Sequence, residues 1–439
     1  MKKVKTRSLS VLLLVGIAVL GMAFYIGRFI VLGSDWASAP FNAAIFRRGV
    51  LTVGEITDRN GVLLAGISDG SRTFASNGDV RRSTLHAVGD RAGKIGTGAM
   101  SVFAAEMAGY NMITGSYSVS DPGRMIGLTI DSKLNVIALN ALEGRRGVVM
   151  VSNYKTGEIL CMVSSPTFDP LDPPVNPSNE EAPFVNRAIQ ANYTPGSTFK
   201  LVTAAAAIER INNVYDLEFH CTGELPVGND ILICPGEHGN LGITRGMQVS
   251  CNIVYGELAL MLGADVLAEF TEKLGLSVRT RINGISTARG NFDKAASGSV
   301  NLAWSGVGQF TNEVCPASML RFIGATANEG NAVELHFKQR TGLSSLIPPR
   351  TQRILNKNTA NQLEEIIEIQ NRQNFPGLEI YAKSGTAQTG GNNAPHAWYV
   401  GYIKNPGHPY AFVVIVENGG GGTAVAAPIA NRVLQEAVK

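Results

Sequence analysis

The sequence predicts an α+β or α/β fold in which one sheet is assembled from two distant stretches around a mostly helical insert. Three observations predict it. Gly147–Asn153 and Glu158–Ser164 are apolar, β-branched runs joined by Tyr154-Lys155-Thr156-Gly157, the pattern of a hairpin. Three more strand candidates stand late in the chain, at Glu379–Gln388, Ala397–Lys404 and Tyr410–Glu417. Between these groups, roughly residues 195–370 read as mainly helical, so the pieces of any site must converge from distant positions.

The 439 residues allow two or three domains, and 45% hydrophobic with 17% charged residues describes a globular chain rather than a disordered one. A net charge of +3, with no basic run after the first ten residues, gives no support for nucleic-acid binding.

Lys2, Lys3, Lys5 and Arg7 precede the apolar run Leu9–Ile26, and Phe29–Leu32 extends it. Such a run approaches the span of a bilayer as a helix, and the flanking basic residues direct the amino terminus to the cytoplasm. Ala37-Ser38-Ala39 would also suit a signal-peptide cleavage site, but the run exceeds a usual signal core. The expectation is a cytoplasmic tail over residues 1–8, an uncleaved anchor over 9–33, and the remainder outside the cytoplasm.

Residues 34–46 read as a short exit segment, and from Arg47 to about Met125 the sequence is Gly-rich with strand-like runs, one helix candidate at Met100–Gly109, and the turn signal Asp58-Arg59-Asn60-Gly61 between Val50–Ile56 and Val62–Leu64. This stretch reads as a spacer or docking module. From residue 126 the pattern is denser. Ser132–Leu142 is a helix candidate, and Thr423–Val438 forms a final helix after the glycines 419–422.

Three motifs carry the chemistry. Tyr193-Thr194-Pro195-Gly196 halts extended structure ahead of Ser197-Thr198-Phe199-Lys200, and Leu201–Ile208 continues as an apolar helix. Ser197 then falls in a first helical turn with Lys200 at i+3 on the same face, where a desolvated amine can take the proton of a serine nucleophile. Ser250-Cys251-Asn252 adds a hydroxyl and an amide at the head of a helix candidate, Asn252–Gly263. Lys383-Ser384-Gly385-Thr386 lies in a strand, with Lys383 and Gly385 on one face and Ser384 and Thr386 on the other. A glycine-bearing edge strand suits an extended peptide, and Lys383 offers charge for a terminal carboxylate.

The chain also carries decoys. Ser152-Asn153-Tyr154-Lys155 and Lys155-Thr156-Gly157 fit the first and third patterns but overlap in one hairpin turn, and Ser299-Val300-Asn301 competes with Ser250-Cys251-Asn252. Helix context favours the sets at 197 and 250, although helix capping by Ser250 or Asn252 is compatible with the same residues. The six histidines form no His-x-x-x-His pattern, and the five cysteines, Cys161, Cys221, Cys234, Cys251 and Cys315, include no C-x-x-C, so no metal site is expected. Cys221 and Cys234 are read either as a disulfide or as small buried side chains.

The three motifs in order resemble the S-x-x-K, S-D-N and K-[ST]-G set of class B penicillin-binding proteins, the D,D-transpeptidases of cell-wall synthesis, with Cys251 in place of the central Asp of the second. Asp58–Gly61 resembles the turn opening the family's pedestal. Gly147–Pro166 is similar to the opening of its catalytic sheet, and His396–Gly401 to the strand after K-[ST]-G. Gly308-Gln309 resembles its Gly-Gln-Gly segment, with Phe310 in place of the last glycine. The resemblance spans roughly residues 44–439. It implies an antiparallel five-stranded sheet between helical layers, a small mainly β pedestal or dimerisation-like domain over 34–125, and a transpeptidase domain over 126–439.

The resemblance also implies roles. Ser197 attacks the D-Ala-D-Ala bond of a peptidoglycan stem peptide, Lys200 takes its proton, and Ser250, supported by Lys383, relays a proton to the leaving amine. The backbone N–H groups of Ser197 and Thr386 form the oxyanion hole. Asn252, Ser384, Gly385 and Thr386 hold the peptide, and β-lactam antibiotics acylate Ser197. No cofactor is implied, and glycan polymerisation falls to a polytopic membrane glycosyltransferase partner. The rivals are a membrane-anchored D,D-carboxypeptidase, a β-lactamase-like hydrolase, and a non-catalytic β-lactam sensor or scaffold.

Overall fold

The structure is a computed structural model that describes residues 2–37, 46–47, 50–51, 54–68, 71–108, 110–111, 116–117, 124–176, 178, 181–367, 375–391 and 393–439. Helix α1 (Lys2–Ala37) contains a 25-residue apolar stretch, Arg7–Val31, in which no side chain is buried. At 1.5 Å per residue that stretch is about 37 Å long, enough for a bilayer core.

Strands β1 (Glu55–Thr57), β2 (Leu63–Ser68), β3 (Ser71–Phe74) and β4 (Met125–Gly127) form a small sheet in the order β3-β2-β1-β4, with β1 and β4 parallel. Helix α2 (Gly78–Val88), absent from the sequence expectation, starts at Asn77, whose side chain accepts the N–H of Asp79 at 2.7 Å. The helix expected over 100–109 is two short turns, Ala99–Val102 and Ala104–Met107. Gly109 lies outside the described residues.

The Asp58 turn ties this part to the next. Its buried carboxylate accepts the N–H groups of Asn60 and Val62 at 2.8 Å and the Ser132 hydroxyl at 2.7 Å. Ser132 opens α3 (Ser132–Leu142), which is capped by Asp131.

Strands β5 (Gly147–Asn153) and β6 (Ile159–Ser165) form the expected hairpin. After it come α4 (Lys200–Arg210), two ribbons made of β7 (Phe219–Cys221) with β10 (Gly239–Leu241) and β8 (Glu224–Val227) with β9 (Asp230–Ile233), and α5 (Asn252–Lys273). Helix α5 is two helices merged across Gly263, where φ is 77°, so the expected helix end at Gly263 marks a kink. Helices α6 (Val300–Gly306), α7 (Pro316–Ala327) and α8 (Lys357–Ile367) complete the insert.

Strands β11 (Ile380–Ala387), β12 (His396–Ile403) and β13 (Tyr410–Val416) return to the hairpin, and α9 (Ala427–Ala437) follows. The order is β6-β5-β13-β12-β11, all antiparallel, with β11 on the edge. Side-chain alternation sends Val148 and Met150 into one core with α4, α5 and α7, and Val149 and Val151 into another with α3 and α9. Covered on both faces, the sheet strands read as nearly continuous apolar runs.

Candidate active site

Ser197 sits in one 3₁₀ turn, Gly196–Thr198, immediately ahead of α4 rather than inside it. The tighter turn follows from Pro195 and from Gly196 at φ 53°, and Thr198 Oγ1 donates to the carbonyl of Pro195 at 2.8 Å. Ser197 is half-buried, whereas Lys200 is buried completely.

Lys200 Nζ donates to the carbonyl of Ser250 at 2.6 Å and to Asn252 Oδ1 at 2.8 Å, with Ser250 Oγ at 3.2 Å. Lys383 Nζ donates to the same Ser250 Oγ at 2.9 Å and to the Ser384 carbonyl at 2.9 Å. The Ser250 hydroxyl therefore stands between two amines. Its backbone adopts φ 56°, a left-handed conformation that a non-glycine residue holds at a cost, and this aims its carbonyl at Lys200. Neither Ser250 nor Asn252 caps a helix: the N-cap position of α5 is Cys251, with no side-chain capping bond.

Burial holds the Lys200 amine well below the ordinary ammonium range, and the neighbouring charge of Lys383 lowers it further. Burial pushes Lys383 down to about 8. A neutral Lys200 has two N–H donors, which the Ser250 carbonyl and Asn252 Oδ1 accept, and one lone pair left to receive a proton.

Residues of all three motifs line one cleft of about 550 Å³, namely Ser197, Ser250, Asn252, Ser384 and Thr386, together with His238, Trp304 and Gln309. A second hollow of about 420 Å³, lined by Arg279, Arg321, Glu334 and Arg350, contains none of the motif residues. Along β11, Lys383 and Gly385 are buried while Ser384 and Thr386 are more exposed, as alternation predicts. At Gly385 the close approach comes from the protein's own nucleophile turn. A Cβ there would lie 2.8 Å from the Pro195 carbonyl oxygen and 2.9 Å from Thr198 Cγ2.

The turn is fixed from behind. Tyr193 donates its hydroxyl to Glu417 at 2.7 Å, Arg187 holds the same carboxylate oxygen at 2.8 Å, and Trp398 Nε1 donates to the Thr194 carbonyl at 2.9 Å. On the other side Gly308, at φ 82°, presses on Gly196, and a Cβ on Gly308 would stand 2.1 Å from the Gly196 oxygen. Gly308→Ala is expected to cost about 2–4 kcal/mol in thermal unfolding and to slow acylation. Gly407→Ala shares a positive φ but meets nothing within 4 Å, so it should cost only about 1–2 kcal/mol. Equal losses at both positions would rule out the backbone collision.

The decoys resolve as turn and cap. Asn153 Oδ1 accepts the N–H groups of Lys155 and Thr156, and Lys155 Nζ donates to Asn328. Ser299 caps α6 by accepting the N–H of Leu302. Two features escaped the sequence reading. Trp304 had no motif to announce its place in the cleft, and Cys221, Cys234 and His238, the last of which also lines the cleft, gather with Cys251 of the second motif with no disulfide among them. The Cys-x-x-x-His spacing at 234–238, with two more cysteines within thirty residues, was the available signal.

The sheet, the helical insert and the three motifs on one cleft define a serine acyl-transferase fold of the penicillin-recognising kind. Residues 147–435 match the family model for the penicillin-binding protein transpeptidase domain, and the chain belongs to that family. It is 27% identical over 363 residues to peptidoglycan D,D-transpeptidase PbpA of Mycobacterium tuberculosis, covering 73% of this chain and 74% of that protein. Stage V sporulation protein D of Bacillus subtilis is 28% identical over 357 residues, 73% of this chain and 54% of the relative. Among solved structures, the imipenem acyl-enzyme complex of penicillin-binding protein A from M. tuberculosis superposes with a TM-score of 0.76 at 24% identity, covering 88% of this chain and 98% of that one.

Proposed function

We propose that the chain is a serine D,D-transpeptidase that crosslinks peptidoglycan stem peptides through an acyl-enzyme on Ser197 and is acylated there by β-lactams. The observation that carries this reading is the buried Lys200 amine, hydrogen-bonded to Ser250 and Asn252, which line the same cleft as Ser197. Ser197 Oγ attacks the carbonyl of the penultimate D-alanine as its proton passes to Lys200. Ser250, hydrogen-bonded to Lys200 and Lys383, returns a proton to the departing D-alanine amine. Asn252 and the Ser384 and Thr386 side chains hold the donor peptide along β11, and Lys383 supplies charge for its carboxylate. The N–H groups of Ser197 and Thr386 receive the developing oxyanion. An amine from a second stem peptide then takes the acyl group.

The apolar stretch of α1 supports anchoring of the catalytic part at the outer face of the membrane, with residues 34–125 as pedestal and 126–439 as the transpeptidase domain. A membrane glycosyltransferase would supply the glycan strands.

Purified protein mixed with fluorescent penicillin should label one-to-one and stably, and a stem-peptide thioester with a D-amino-acid acceptor should yield the crosslinked product. Fast release of the label, or hydrolysis without transfer, would favour a hydrolase instead.

The acylation rate should follow a bell in pH. It rises as Lys200 loses its proton, well below the range of an exposed lysine, and falls above about 8 as Lys383 loses the charge that binds carboxylate. A rate that climbs steadily to the range of an exposed lysine would contradict Lys200 as base.

A further inference from the structure

We propose that Cys221, Cys234, His238 and Cys251 form a structural zinc site that braces the wall of the cleft carrying Ser250 and Asn252. The ligand atoms of these four residues all lie within 4.8 Å of one another. His238 Nδ1 is 3.4 Å from Cys221 Sγ and 3.5 Å from Cys234 Sγ, and Cys234 Sγ is 3.9 Å from Cys251 Sγ. A tetrahedral zinc with Zn–S near 2.3 Å and Zn–N near 2.1 Å requires edges of about 3.8 Å between sulfurs and about 3.6 Å between sulfur and nitrogen. Three of the six edges therefore already have about the length such an ion imposes, and the other three do not exceed 4.8 Å.

The donor set points the same way. Three soft thiolates and one imidazole match zinc and leave no fourth position open for water, which marks a structural rather than a catalytic centre. The backbone N–H of Asn252 donates to Cys234 Sγ at 3.3 Å, a hydrogen bond that stabilises a metal-bound thiolate.

The local fold supplies a reason for a metal. Residues 219–241 are two short ribbons, and two-stranded ribbons are marginal on their own in water. Ile231 and Ile233 of β9 are 49% and 57% exposed, and Val227 and Leu232 are the apolar residues that the β8–β9 hairpin buries. One cysteine comes from β7, one follows β9, His238 stands just before β10, and Cys251 lies in the second motif itself. An ion held by all four joins both ribbons to the head of α5. Asn252 is fixed at the same place, its Nδ2 donating to the Ile233 carbonyl at 2.8 Å while its Oδ1 receives Lys200. Removing the ion would thus release the acceptors that orient the Lys200 amine.

The test measures metal on full-length protein purified in detergent, so its outcome does not depend on the transpeptidase reading. Elemental analysis should find about one zinc per chain, and apo protein refilled with Co²⁺ should show intense thiolate-to-cobalt charge transfer with the visible bands of a tetrahedral ion. Cys234→Ser and His238→Ala should reduce the bound zinc to less than about a tenth. His238→Cys, which preserves a four-ligand set, should retain it. Cys161→Ser and Cys315→Ser, outside the cluster, should keep the full content. Metal-free protein that is folded and has all four groups open to thiol and imidazole reagents would overturn the proposal. So would a Cys221–Cys234 or Cys234–Cys251 disulfide found by mass spectrometry in the native protein, or zinc that persists in folded Cys234→Ser and His238→Ala variants.

Discussion

Ser197→Ala is expected to abolish covalent labelling by fluorescent penicillin and to lower transpeptidation by on the order of 10⁴- to 10⁶-fold, because the variant lacks the hydroxyl on which the acyl-enzyme forms. The fold should be unaffected. Ser197 is half-buried in a turn held by the backbone bond from Gly196 to Gly308 and by the Trp398 contact to Thr194, neither of which uses the serine hydroxyl. Its melting transition should match wild type within about 0.5 kcal/mol. Labelling that persists in this variant, at whatever residue, would move the nucleophile elsewhere and end the assignment.

Lys200→Met should lower acylation by on the order of 10³- to 10⁵-fold while leaving the protein as stable as wild type or more so. The two effects share one cause. Burial depresses the proton affinity of Lys200, with the charge of Lys383 adding to it, so between the lowered pKa and the ordinary lysine value the folded protein binds fewer protons here than the unfolded chain, and below both it must hold the charge in an unfavourable place. That difference penalises the folded state. The penalty is full below the lowered pKa and fades as pH rises toward the ordinary lysine value of about 10.5. Methionine fills similar space without it, although the Ser250 carbonyl and Asn252 Oδ1 lose a donor. Melting curves should show the advantage of Lys200→Met greatest at low pH and shrinking as pH rises. A variant that loses both activity and stability, with no pH dependence in the difference, would point to a packing role for Lys200 instead of a proton-transfer role.

Much of this arrangement was readable in the chain, for definite reasons. The five strands are short apolar runs bounded by Gly, Asn and Pro, and their observed limits lie within a residue of the expected ones: 159–165 against 158–164, 380–387 against 379–388, and 396–403 against 397–404. The edge position of β11 was legible from Gly385, but the reason lay elsewhere, since the space left by its missing side chain is filled by Pro195 and Thr198. Helix α2 was missed because Ser83, Thr84 and His86 are among the residues it buries, so its inner face has little apolar signature. The left-handed backbone at Ser250 and the meeting of Lys200 with Asn252 depend on how α5 abuts α4, which no local pattern encodes. The Cys–His cluster was dispersed over thirty-one positions, with Cys234 and His238 its one close pair and the other two cysteines thirteen and seventeen positions from Cys234.

The pairing of β13 with β5 has a consequence for how the enzyme comes into existence. Val416 lies beside Gly147, and Tyr410 beside Asn153, so the central seam of the sheet joins segments made far apart in time. The early hairpin must wait, its greasy flanks unmatched, while the whole insert is synthesised. Contacts of this range are slow to form and leave interim species prone to clumping. The nucleophile turn, which leans on β11, has no wall to rest against until the 380–416 stretch arrives. Reactivity toward β-lactams should therefore emerge as one late event, with no half-active intermediate, and a chain stopped before residue 380 should capture no drug at all.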